Sequence, residues 1–141
     1  MVKYIRPQET LTLRSRVLRS GKPHDQCVFQ TDKLGFHLGN FIDEKLVCIA
    51  TFFPEDYAEK GTGGYRLRGM ATDPVFVGRG LGKATIKFAI DELIAANASY
   101  IWCSARHAAV GFYQGLGFEI ISEQFEIPEI GLHYDMLYNL K

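Results

Sequence analysis

Three glycines in alternate positions, Gly78, Gly80 and Gly82, separate the stretch Arg68-Gly69-Met70-Ala71-Thr72-Asp73-Pro74 from a long helical pattern that opens at Leu81. A loop of this kind turns backbone N–H groups inward without Cβ clashes, and the helix after it adds its unpaired first-turn donors and positive dipole end. The chemistry on offer is capture of a phosphate or pyrophosphate. Arg79 and Lys83 either donate charge-assisted hydrogen bonds to that anion or sit in solvent. Two nucleotide loops are excluded by spacing: Gly78 stands too close to Gly82-Lys83 for G-x-x-x-x-G-K-[ST], and Ala84 follows the lysine. The glycines also do not continue as G-x-G-x-x-G.

The loop resembles motif A of the GNAT superfamily of N-acetyltransferases, Arg/Gln-x-x-Gly-x-Gly/Ala after a strand often ending in Asp-Pro. Gly80-Leu81-Gly82 fits its core, and Val77 stands where Arg or Gln is usual. Val77 keeps the backbone N–H and loses the polar side chain. A second segment, Arg106-His107-Ala108-Ala109-Val110-Gly111-Phe112-Tyr113-Gln114-Gly115-Leu116-Gly117-Phe118, resembles motif B of the same superfamily. Ala109, Phe112, Tyr113, Gly117 and Phe118 fall in register, with Arg106 replacing the usual Asn. The order and spacing of the two motifs are more specific than either alone.

The resemblance implies an acetyl-CoA-dependent enzyme whose strand before motif A and strand before motif B splay apart around the pantetheine arm. On that basis the backbone of Met70, Ala71 and Thr72 pairs with the pantetheine amides like an added strand. The loop amides from Gly78 through Arg79, Gly80 and Leu81 to Gly82 hold the pyrophosphate, Val77 and Lys83 flank them, and Ala109, Phe112 and Tyr113 complete the cofactor site. Acyl transfer needs a base for the amine, a donor for the developing oxyanion and a proton for the departing thiolate. Tyr113 is the expected general acid and the N–H of Met70 the expected oxyanion donor. For the base, His37, Glu126, Glu129 and His133 remain open, as does a water relay, and His37, Glu126 and His133 are the candidate acceptor-site residues. A non-catalytic acyl-CoA-binding module is the alternative reading.

The remaining composition narrows the class. With 141 residues, 47% of them hydrophobic, the chain suits one domain with its own core. No window approaches about 18 consecutive apolar residues, and no apolar leader opens the chain, so a soluble cytoplasmic protein is expected. Cys27, Cys48 and Cys103 are odd in number and lack C-x-x-C spacing. They read as buried thiols rather than metal ligands, disulfides or a nucleophile. Zero net charge gives no sign of nucleic-acid binding. Residues 1–22 are rich in Lys and Arg, whereas 107–140 hold Glu119, Glu123, Glu126, Glu129 and Asp135 and neither cation. This asymmetry reads as two solvated faces or as an acidic pocket for a cationic amine. The resemblance implies a small-molecule or peptide amine as acceptor, and a monomer or a homodimer through the last strands is expected.

The elements that must position these residues alternate. Tyr4-Ile5-Arg6 reads as a strand, and Thr10 to about Arg19 as a helix with Arg14, Arg16 and Arg19 outward. Gly35–Ile42 and Lys45–Phe53 read as a hairpin turning at Asp43-Glu44, and Tyr65–Ala71 as the strand entering the loop. Leu81–Ala98 is a largely buried helix, Tyr100–Ser104 a buried strand and His107–Leu116 a short helix, with strands over Phe118–Ile127 and Leu132–Leu140. The sum is an α+β fold with a mixed, mainly antiparallel sheet and helices on both faces, as the resemblance implies.

Overall fold

The computed structural model describes all 141 residues. Its strands are β1 (Val2–Ile5), β2 (Phe36–Ile42), β3 (Lys45–Pro54), β4 (Gly64–Thr72), β5 (Tyr100–Arg106), β6 (Glu119–Ile120), β7 (Phe125–Ile127) and β8 (Gly131–Asn139). They form one sheet in the order β1-β2-β3-β4-β5-β8-β6, with β7 also paired to β8. Only β4 and β5 run parallel. The β2–β3 hairpin turns through Asp43 and Glu44 at φ 49° and 67°. Two left-handed residues in succession match the twist of the flanking strands.

The main helix α2 (Leu81–Ala95) lays Ile86, Ala89, Ile90 and Leu93 against Leu38, Ala50, Phe52, Leu67, Ile101 and Met136 of the sheet. Each Leu, Ile, Phe or Met side chain among them contributes about 1.5–3 kcal/mol when taken from water. Successive strand residues face opposite sides, so Ile49, next to Ala50, belongs to a second core in which it meets Ala71 and Leu13. Helices therefore cover both faces, as expected. The end of α2 falls short of Ala98 because Asn97 turns left-handed at φ 63°, letting the Ala98 N–H donate to the Leu93 carbonyl at 2.9 Å.

The N-terminal segment departs from expectation in two ways. The first helix does not start at Thr10: a 3-10 turn over Pro7–Thr10, a single α-turn α1 (Leu11–Leu13) and a π-turn over Arg14–Leu18 follow one another. Pro7 starts this run, and the Glu9 carboxylate accepts from the Arg6 N–H at 3.1 Å. Arg14 does not point outward but is fully buried. It donates to both carboxylate oxygens of Asp32 at 2.8 and 2.9 Å, to the Cys27 carbonyl at 3.1 Å and to the Thr51 hydroxyl at 2.8 Å. Residue type alone places an arginine in solvent; a bidentate carboxylate allows it inside.

The expected strand Phe118–Ile127 is broken into β6 and β7. Between them the Ser122 hydroxyl, not a backbone carbonyl, accepts from the Asp135 N–H at 2.8 Å. That side-chain bond replaces a rung of the ladder and lets the strand bend.

Candidate active site

The parallel pairing of β4 with β5 ends after Gly64–Tyr100, Tyr65–Ile101 and Arg66–Trp102, although both strands continue. Beyond it they part. The cause lies on the other edge of β4, where the register with β3 steps from Thr51–Arg68 to Ile49–Ala71 and leaves Gly69 and Met70 outside the ladder. This bulge bends the strand. Gly69 adopts φ +64°, and a Cβ there would lie 3.1 Å from the Phe29 ring and 3.3 Å from Arg14 Nε, so both space and conformation require glycine.

Asp73 turns the end of β4 into the loop. Its N–H donates to the Val47 carbonyl at 2.7 Å and its carboxylate accepts from the Val75 N–H at 3.1 Å, with Arg16 and Lys45 at 3.6 and 3.8 Å. The loop then passes Gly78 and Gly80 at φ +86° and +75°. The first internal bond of α2 runs from the Ala84 N–H to the Gly80 carbonyl, so the amides of Leu81, Gly82 and Lys83 have no partner within the helix. A Cβ on Gly82 would meet Met70 Cε at 2.9 Å and Phe112 Cζ at 3.1 Å.

These elements enclose a cavity of about 640 Å³. Of the residues expected at the cofactor, Met70, Ala71, Thr72, Val77, Gly78, Gly80, Leu81, Gly82, Lys83 and Phe112 line it. Arg79 does not; its guanidinium lies 5.0 Å over the Phe76 ring. Ala109 and Tyr113 line a second cavity of about 580 Å³, and Met70 lines both.

Tyr113, on α3 (Val110–Leu116), is buried, and its ring meets Phe112 and Phe118 edge to face at 5.1 and 5.3 Å. Burial, reinforced by Cys103 and Cys48, raises its pKa well above the ordinary tyrosine value, and no hydrogen bond offsets the rise. His133 lines the same cavity from β8. Its Nδ1 lies 2.8 Å from the Gly131 carbonyl. A carbonyl only accepts, so Nδ1 carries the proton and the Nε2 lone pair has no internal donor.

The other candidate bases lie elsewhere. His37 Nε2 donates to the Asp32 carbonyl at 3.0 Å, and Nδ1 accepts from the Thr51 hydroxyl at 2.8 Å. Burial lowers its pKa, and this neutral ring belongs to the Arg14–Asp32 network and lines neither cavity. Glu126 is exposed on β7 opposite Leu132 and also lines neither. Glu129 lines the second cavity. All three cysteines are free and buried, as expected. Cys103 reaches the second cavity, but burial, aided by Asp135, pushes its thiol up to about 12.

The charge around that cavity corrects one of the two readings of the asymmetry. Arg19, Lys22, Arg66, Arg68 and Arg106 line it against a single carboxylate, Glu129. Arg66 and Arg68 of β4 and Arg106 of β5, joined by Arg19 and Lys22 of the basic N-terminal segment, set its sign, and the acidic C-terminal segment does not. Arg66 and Arg68 alternate on β4 just before the glycine bulge, a signal present in the sequence but read only as strand patterning.

A mixed sheet whose central parallel strands part beside a glycine loop and helix start is the arrangement that the resemblance implies for an acyltransferase. The sequence model of the Acetyltransferase (GNAT) family matches residues 6–118, and the chain belongs to that family. It is 37% identical over 143 residues to the uncharacterized N-acetyltransferase YitI of Bacillus subtilis (strain 168), across 99% of this chain and 96% of that protein. An aminoglycoside 6'-N-acetyltransferase complexed with coenzyme A superposes with TM-score 0.80 at 10% identity, over 100% of this chain and 97% of its own. The ribosomal-protein-S18-alanine N-acetyltransferase of Escherichia coli does so with TM-score 0.74 at 16% identity, over 99% and 93%. These structures share the fold. The chain is an N-acetyltransferase of the family that takes acetyl from acetyl-CoA. No helix is long and apolar enough to cross a membrane.

Proposed function

We propose that this chain transfers the acetyl group of acetyl-CoA directly to a primary amine held in the second cavity, within a ternary complex. The observation that carries the reading is Met70, which lines both cavities at a bulge outside the β3–β4 ladder. The donor's thioester and the acceptor's nitrogen can meet there.

The first cavity fits acetyl-CoA. Its loop amides and the start of α2 suit a pyrophosphate, and the opened edge of β4 at Met70–Thr72 suits the pantetheine arm. Bound there, acetyl-CoA supplies an acyl group activated as a thioester. The Met70 N–H donates to the carbonyl oxygen as negative charge develops on it. His133 Nε2 takes the amine proton, directly or through water, as nitrogen bonds to carbon. Tyr113 gives its phenolic proton to sulfur as the carbon–sulfur bond breaks, and both side chains return to their starting states through solvent. The buried, protonated Cys103 does not suit a covalent relay.

Initial velocities measured over a grid of acetyl-CoA and amine concentrations test this reading, with calorimetric titration of acetyl-CoA beside CoA, ATP and NAD. Selective binding of acetyl-CoA and CoA with intersecting double-reciprocal lines is expected. Parallel lines, or preference for ATP or NAD, would refute it.

A further inference from the structure

Five Lys and Arg side chains converge on the second cavity, yet the chain as a whole is neutral. Of the five only Arg66 has an ion pair, with Glu55 at 3.2 Å; Arg19, Lys22, Arg68 and Arg106 have none. Arg68 is the most informative. It is partly buried, and its guanidinium lies 4.2 Å over the Phe29 ring, against which Arg14 also stacks at 3.9 Å. Arg14 is neutralised by Asp32, whereas Arg68 faces the cavity with its charge unmet. Burial, and then the like charges of Arg66, Arg19 and Arg14, press its pKa downward.

Gathering unpaired cations in a concave site costs free energy unless a counter-charge arrives, and a cleft of one sign concentrates ligands of the other. A planar guanidinium fixed on an aromatic face presents its N–H fork to a carboxylate or phosphate. The volume of about 580 Å³ suits a small molecule. His133 and Tyr113 occupy the same cavity, so an anion on the arginines leaves a nearby amine within the space they line.

We propose that the acceptor is a small amine carrying a carboxylate or phosphate, whose anionic group is held by Arg68 and Arg19, with Arg106 and Lys22 at the rim. This rests on the proposed acetyl transfer and adds the substrate class. Polycationic amines are selected against by the same charges. Arg68 is the specificity-determining residue.

The test compares matched amines by CoA release: O-phosphoethanolamine with ethanolamine, phenylalanine with phenethylamine, and spermidine as a polycation. An anionic member is expected to have the higher kcat/KM in at least one pair. Arg68→Gln should raise its KM about 10- to 100-fold, the loss expected for a charge-assisted bond, while acetyl-CoA affinity is retained. Arg68→Lys, which keeps the charge and loses the fork, should fall between. Arg106→Gln, at an exposed position, should raise the same KM less and guards against a folding defect at β4.

A binding arm uses inorganic phosphate and acetate with CoA saturating, so that the first cavity is filled. At least one anion should raise the melting temperature of the wild type and not of Arg68→Gln. Preference for spermidine or the neutral amines, equal loss for both members of a pair, or no Arg68-dependent stabilisation by either anion overturns the proposal. Failure of the acetyl-transfer reading shows separately, as absent acetyl-CoA binding or absent CoA release with every amine while the anions still bind.

Discussion

Replacing Tyr113 by Phe separates chemistry from structure, because the hydroxyl it removes has no internal hydrogen bond to lose. The ring is 7% exposed and packs edge to face on Phe112 and Phe118, contacts that phenylalanine keeps. The change in stability should therefore stay within about 0.5 kcal/mol, like a substitution that leaves no cavity or orphaned group. The rate responds differently. A positioned general acid contributes ~10²–10⁴ in rate, equivalent to about 3–5 kcal/mol of barrier. A thiolate leaves more readily than an alkoxide, so the loss in kcat should lie toward the lower end of that range and no less than about tenfold. Acetyl-CoA affinity should be unchanged, since Tyr113 lines the second cavity rather than the first. Thiol release gives the rate, calorimetry the affinity and thermal unfolding the stability. Wild-type turnover in a folded, acetyl-CoA-binding variant would remove Tyr113 from the reaction.

Other perturbations follow from the same geometry. His133→Gln should lower kcat, while Glu126→Gln, on a residue that lines neither cavity, leaves it unchanged; thiol-release rates of the two folded variants decide. Gly80→Ala places a side chain at φ +75°, at a strain of about 1–2 kcal/mol, and should weaken acetyl-CoA binding in calorimetry by displacing the loop amides. Burial pushes the Asp32 carboxyl up, but the Arg14 hydrogen bonds, the Phe29 N–H and nearby charge outweigh it and hold its pKa below the usual value. Its stabilisation is therefore complete above about pH 4 and lost as pH falls toward the folded-state value. Asp32→Asn should flatten that acid limb in urea titrations, and cost about 3–5 kcal/mol at neutral pH by leaving Arg14 without its carboxylate.

What could be read from the sequence was mostly local. Gly80-Leu81-Gly82 before an apolar helix, Asp73-Pro74 as a turn and Gly117 ending α3 at φ 104° each express a conformational demand within a few residues of itself. The splayed strands came from the family resemblance, and the structure supplies their cause, the bulge at Gly69 and Met70. The partners of His37 were not readable. Asp32 and Thr51 reach it from separate segments, and only their meeting turns a candidate base into a buried, doubly bonded neutral ring. His133 differs in having one ring nitrogen tied to a carbonyl of its own strand.

The two arginines on Phe29 show why composition misjudged the acceptor side. Arg14 and Arg68 share an aromatic ring and have the same side chain, and sequence patterning placed one in solvent and the other on a strand. Long-range placement decides their roles. Asp32 meets Arg14 with two short hydrogen bonds, so that charge is spent on joining the first helical segment to the sheet through Thr51. Arg68, held against the same ring, has no carboxylate and opens on the cavity shared by Tyr113 and His133. A fold that needed only packing there could place a neutral residue at this point of β4 and avoid repulsion from Arg14, Arg19 and Arg66. The unmatched charge therefore points to the ligand, and the acidic residues of the last strands, which suggested the opposite sign, contribute only Glu129 to its walls.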